Sequence, residues 1–199
     1  MDIHNLLYNQ DASGINPRAG SLLVADPMME EIYFSRSAVL VLDESSDGGH
    51  LGITLNKGTN ITLHDLIPDC QRGGEVPVFC GGPVDMERLF LLHSLGAVFP
   101  GASEVIPGVF VGGNVDDIIS YLEDGGQIEG NLRFFLGYSG WTKGQLQAEI
   151  ARHSWAVNNH PDGKKLLTGE GNEFWRREVM NLGDSYRSWL MVPPDPSYN

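Results

Sequence analysis

The sequence predicts an α+β fold built on a mixed or mainly antiparallel sheet. Short apolar runs rich in β-branched and aromatic residues recur along the chain, as at residues 38–42, 76–80 and 132–136. Clusters of Gly, Asp, Ser and Pro separate these runs, which is turn chemistry. Helical patterns fall irregularly among the strands rather than alternating with them, which argues against a doubly wound sheet.

In chain order, residues 1–19 form an N-terminal arm in which Ile3, Leu6, Leu7 and Tyr8 are placed to dock as a short helix, ahead of a single domain at 20–199. Residues 20–25 make the first strand, ended by Asp26-Pro27. Phe34 and the run 38–42 mark a buried central strand over 33–42, and the turn residues at 43–50 fold 51–56 back on it as a hairpin. Thr62 caps one or two helical turns that Pro68 stops. A loop at 70–74 leads to a strand at 76–80, another follows at 89–93, and 97–107 reads as a long loop. After a brief strand at 109–111, Asn114 caps a helix carrying Val115, Ile118, Ile119 and Leu122, closed by Gly125-Gly126.

Residues 132–155 give the strongest local pattern. Leu132, Phe134, Phe135 and Leu136 read as a buried strand, Gly137 and Gly140 as a tight turn, and Thr142 with Gln145 as a capping box that starts a helix. Leu146, Ile150 and His153 share that helix's inner face. An edge strand at 155–157 and a polar connection at 158–171 follow. A last helix starts at Asn172, with Trp175, Val179 and Leu182 on one face and Gly183 just past its end. The tail holding Trp189, Leu190 and Met191 reads as an extended segment before its prolines.

Composition narrows the function classes. With 199 residues and 41% hydrophobic content the chain can bury one sizeable core. A formal net charge of −13 repels phosphate backbones and anionic lipid, so nonspecific nucleic-acid binding is disfavoured. The only adjacent basic pairs, Lys164-Lys165 and Arg176-Arg177, are too small to reverse that field. Two cysteines, Cys70 and Cys80, point to a reducing compartment. No signal peptide pattern opens the chain, and its longest aliphatic run, 38–42, is far short of the roughly 20 residues of a bilayer crossing. A cytoplasmic protein without membrane contact is the expectation.

Candidate sites are few. Ser139 follows a strand as a nucleophile elbow would, but Trp141 stands where the second glycine belongs. Gly81-Gly82-Pro83 opens a loop whose backbone N–H groups suit an anion, although no nucleotide-binding glycine motif is present. His4, His50, His64, His93, His153 and His160 form no metal-ligand pair, so neither a metal nor a cofactor is expected. His93 with Ser94 is the best candidate general base, and Cys80 beside the glycines the best candidate thiol. Gly81, Gly82, His93, Tyr138 and Trp141 are the candidate binding residues.

The segments Gly20-Ser-Leu-Leu, Phe34-Ser-Arg-Ser, Leu51-Gly-Ile-Thr-Leu-Asn56, Val78-Phe-Cys-Gly-Gly-Pro-Val84, Leu92-His93-Ser94 and Leu136-Gly-Tyr-Ser-Gly-Trp141 with Gln145-Leu146 resemble the YqgE/AlgH family of bacterial proteins. The match runs in order from about residue 19 to 182, and the arm and tail resemble Bacteroidetes members. The resemblance implies a bifurcated sheet that includes a small closed barrel and is surrounded by helices. It implies a transcriptional-regulator label without an established activity or agreed catalytic residues. The leading expectation is a non-enzymatic regulatory or binding protein acting through a ligand or protein partner. A small hydrolytic or redox enzyme using His93 with Ser94 or Cys80 is the alternative, and a direct DNA-binding regulator is the second.

Overall fold

A computed structural model describes residues 16–44 and 46–194, so the docking helix expected in the N-terminal arm lies outside the described residues. Strand β1 (Leu22–Ala25) is buried at every position because strands flank both its edges and apolar side chains cover both its faces. β2 (Ala38–Glu44) and β3 (His50–Thr54) form the expected antiparallel hairpin. β2 starts later than the apolar pattern suggests: residues 32–36 are turns, and Phe34 packs edge-on against Trp155.

β4 (Gly58–Thr62) and β5 (Pro77–Cys80) pair antiparallel around a helical turn, α1 (Leu63–Leu66). Thr62 fixes its start by donating its N–H and hydroxyl to Asp65 Oδ2, each at 2.8 Å. β6 (Val84–His93) is followed by β7 (Ser103–Ile106), inside the stretch expected to be a loop, and by β8 (Val109–Val111). Asn114 Oδ1 accepts the N–H groups of Asp116 and Asp117 and caps α2 (Val115–Glu123) as predicted.

β9 (Leu132–Trp141) corrects the reading of the strongest local pattern. The strand continues through Gly137 and Gly140, where a turn was expected: Gly137 lies where the Gly82 backbone crosses closely, a Cβ there meeting Gly82 O at 2.4 Å, and Gly140 pairs with Leu51 of β3. α3 (Gln145–Ala151) begins after Gly144 rather than at Thr142, although Thr142 does donate its N–H to Gln145 Oε1 at 3.0 Å. β10 (Trp155–Asn158) is the expected edge strand, α4 (Gly163–Leu166) is a single turn, and α5 (Gly171–Asn181) takes Asn172 into its first turn. The tail is a 3₁₀ helix, Asp184–Met191, instead of an extended segment, because coiling brings Trp189 into the core.

The strands run β10-β1-β2-β3-β9-β6-β8-β7, with β4 and β5 branching off β9. One edge of β9 pairs antiparallel with β6. Its other edge pairs parallel with β5 at Phe134, Phe135 and Leu136, then antiparallel with β3 at Ser139, Gly140 and Trp141. The sheet therefore forks at this strand. No ladder joins β7 to β10 or β1; Gly20 merely faces Val105 and Ile106. The sheet stays open, and the small closed barrel implied by the resemblance is not formed.

Alternation along β9 feeds separate cores. Leu132, Phe134 and Leu136 pack with α2, whereas Phe135 faces the largest core beside Trp175 and Trp189. A third core lies under α3, where one oxygen of Glu149 accepts the indole N–H of both Trp141 and Trp155 at 2.8 Å. Asn56 ties the largest core's edges together. Its Oδ1 accepts from Ala38 N and its Nδ2 donates to the Arg36 and Gly171 carbonyls, each at 2.9 Å.

Candidate functional site

The glycine pair is committed to backbone crossing. Gly81 N–H donates to Leu136 O and Gly81 O accepts from Thr54 N, both at 2.7 Å, so that N–H is spent within the sheet. A Cβ on Gly82 would stand 1.8 Å from the Tyr138 carbonyl carbon, which is why only glycine passes there. Gly81, Gly82 and half-buried Tyr138 are thus brought together, and the Arg88 guanidinium lies over the Tyr138 ring at 6.0 Å. Trp141, three positions on along β9, points to the opposite face and packs under α3.

Cys80 keeps different company. Its Sγ lies 3.2 Å from the Tyr33 hydroxyl, and its N–H donates to Lys57 O at 2.8 Å. Lys57 Nζ donates to Ser35 O at 2.7 Å; burial pushes its pKa down, with Cys80 opposing. Burial, reinforced by Cys80, holds the Tyr33 phenol above its ordinary pKa. Thr54 and Ser139 hydroxyls meet at 3.4 Å behind this group. Tyr33 and Lys57 escaped the sequence reading, since neither belongs to a spaced motif and only the fold sets them beside Cys80.

His93 and Ser94 stand apart. His93 ends β6 opposite Leu132, while Cys80 pairs with Leu136 on the other edge of β9. Four residues of strand rise separate them, about 13 Å along β9 alone. His93 is fully buried, its ring stacked on Phe110 and edge-on to Phe99, with Nδ1 accepting from Leu95 N at 3.2 Å. Ser94 Oγ donates to Asn131 Oδ1 at 2.9 Å.

Burial pushes the His93 pKa down, with the Gly112 backbone opposing. The neutral ring therefore stabilises the fold fully above the unfolded value of about 6.5, and this contribution is lost as pH falls from there toward the folded value. In urea titrations the stability gap between the protein and His93→Gln is expected to shrink as pH falls below about 6.5, by at most about 1.4 kcal/mol per pH unit. A gap that stays constant with pH would contradict this.

The sequence reading also missed a cavity of about 420 Å³ between β5, β9 and residues 167–170. Phe79, Leu132 and Leu167 give it apolar walls, and Arg133 lines it. Arg133 is only 4% exposed, with its guanidinium carbon 4.0 Å from the centroid of the Phe79 ring. Nη1 donates to Leu166 O at 3.1 Å, whereas Nη2 has no hydrogen-bond partner among the described residues. Burial lowers the Arg133 pKa to about 10, with Glu170 opposing and Arg177 adding to the shift. Arg177 braces the cavity wall by donating to the Thr168 and Lys165 carbonyls. A charged residue in the middle of the apolar run 132–136 was the available signal.

No group of three His, Cys, Asp or Glu side chains suited to a metal occurs among the described residues, and none of their helices is long and apolar enough to cross a membrane. Comparison with known proteins places the chain. A profile of the family described as AlgH-like matches residues 22–187. The chain belongs to the AlgH-like family. Among AlgH-like relatives, a UPF0301 protein of Parabacteroides distasonis is 39% identical over 184 residues, covering 92% of each chain. One of Bacteroides thetaiotaomicron is 31% identical over 199 residues, the full length of both. The solution structure of the AlgH protein from Pseudomonas aeruginosa superposes with a TM-score of 0.70 at 21% identity, covering 94% of this chain and 99% of that one. A crystal structure of protein DIP2367 from Corynebacterium diphtheriae gives 0.72 at 21% identity, covering 92% and 96%. These two likenesses concern the AlgH-like fold.

Proposed function

We propose that this AlgH-like chain is a non-enzymatic, cytoplasmic binding protein with a regulatory role, working through a small ligand or a protein partner. The separation of its reactive side chains carries this reading. A general base and a nucleophile must reach one reacting atom, but His93 is shut between Phe99 and Phe110 while Cys80 lies on the far edge of β9. The cavity beside Arg133, by contrast, falls within the roughly 300–1,000 Å³ typical of small-molecule sites. The net charge of −13 favours action through such a ligand or partner over direct contact with DNA.

The test is a screen of the purified protein against ester, phosphoester, peptide and disulfide substrates, beside His93→Gln and Cys80→Ala. No turnover above the variants is expected, and native mass spectrometry is expected to find a bound small molecule or protein. Turnover abolished by either substitution would overturn the reading. The contact of Cys80 with Tyr33, close to Lys57, favours thiol chemistry as the second reading, and Cys80→Ala reports on it in the same screen.

A further inference from the structure

We propose that the cavity beside Arg133 binds an apolar α-amino acid, its carboxylate on Arg133 and its ammonium group toward Glu129 and Glu170. This rests on the ligand-binding reading above and names the class of ligand. The guanidinium of Arg133 offers five donors in one plane. Nη1 donates to Leu166 O, and Nη2 is buried without an acceptor among the described residues, so a donor is left for an oxygen that the chain does not supply. A carboxylate is the acceptor that fits a guanidinium best. Phe79, Leu132 and Leu167 line the remaining space with carbon, which suits an aliphatic or aromatic side chain.

The cavity's carboxylates settle the ligand's other charge. Glu75 is taken up by Arg72 at 3.0 Å, whereas Glu129 and Glu170 are exposed in the same lining. A simple anion is drawn to Arg133 and repelled by these two carboxylates. A simple cation meets the reverse. A molecule carrying both charges gains from each when aligned with the field. Glu129, Glu170 and Arg133 line the same cavity, so one small molecule can meet both signs of charge there. Amino and carboxylate groups borne on one carbon put both charges in a molecule small enough for a cavity of about 420 Å³.

Calorimetric titration and thermal unfolding with L-leucine and L-phenylalanine test this, beside their methyl esters, their N-acetyl derivatives and 4-methylpentanoate. The free amino acids are expected to raise Tm by several degrees near saturation. The esters, which lack the carboxylate, and the N-acetyl derivatives, which lack the ammonium group, are expected to bind roughly tenfold or more weakly. Arg133→Met is expected to abolish the Tm response and Glu129→Gln to weaken it. Should Arg133→Met fail to fold, Glu129→Gln and the ligand series still decide the matter. No response to either free amino acid, or N-acetyl derivatives binding as well as the parents, would overturn the proposal. Binding of 4-methylpentanoate alone would remove the amino-acid class while leaving a ligand-binding protein. Substrate turnover in the screen above, with amino-acid binding intact, would do the opposite.

Discussion

Gly82→Ala is expected to leave little folded protein. The added methyl group would meet the Tyr138 carbonyl carbon at 1.8 Å, the Tyr138 carbonyl oxygen at 2.0 Å and Ser139 N at 2.3 Å. All three are backbone atoms of a central strand, so no side chain can rotate away to make room. Relieving the overlap requires the 80–83 segment to lift from β9 by roughly 1.5–2 Å, since carbon atoms rest about 3.5–4.0 Å apart. That movement breaks the bonds from Gly81 N to Leu136 O and from Thr54 N to Gly81 O. Overpacking and orphaned buried groups together cost roughly 4 kcal/mol or more, a large part of the ~5–15 kcal/mol that holds a domain folded. Gly74→Ala is the matched control, because Gly74 has nothing within 4 Å of a new Cβ. It is expected within about 0.5 kcal/mol of the parent. Urea denaturation of both variants checks the pair, and a Gly82→Ala loss below ~1 kcal/mol would refute the steric account.

Asn56→Leu is expected to cost about as much, by a different route. Leucine keeps the branching and heavy-atom count of asparagine, in a somewhat bulkier form, but donates and accepts nothing. Ala38 N then loses its acceptor, while the Arg36 and Gly171 carbonyls lose their donor, with Asn56 only 1% exposed. A buried group stranded this way costs roughly 1–3 kcal/mol, so two or three of them amount to about 4 kcal/mol. Chemical denaturation reads the total. Amide exchange reads the cause: protection of the Ala38 amide should collapse in the variant. The Gly171 amide should keep more protection, since it donates to the main-chain carbonyl of Asn56. Equal loss at both amides would point to global destabilisation instead of a broken hub.

Local signals were the legible ones. Asn114 and the aliphatic positions behind it defined α2, the turn residues before His50 defined the β2–β3 hairpin, and Val109–Val111 needed nothing beyond its own composition. Glycine was ambiguous. Gly137 and Gly140 suggest a turn from sequence alone, and only the partner backbones show that Gly137 serves a crossing with Gly82 and that Gly140 pairs within the sheet with Leu51. β7 reads Ser-Glu-Val-Ile and is half exposed, so pattern could not lift it out of its loop. Trp189 is a core residue on a 3₁₀ helix, a geometry with no strong periodic signature. The cavity was out of reach for a simpler reason. Its lining comes from residues 75–79, 128–133 and 167–170, and no window of sequence spans all three. Arg133 was visible as an oddity in an apolar run, but what surrounds it was not.

The fork at β9 also fixes when this protein can fold during its synthesis. β3, β5 and β6 are all made before residue 132, and each leaves an edge that only β9 closes. At roughly 5–20 residues per second, the emerging chain carries those open edges for seconds until Trp141 has been added and cleared the ribosome. Open strand edges invite pairing with other chains. The nascent protein is therefore most exposed to aggregation, and most in need of a holding chaperone, in the interval before one ten-residue strand appears.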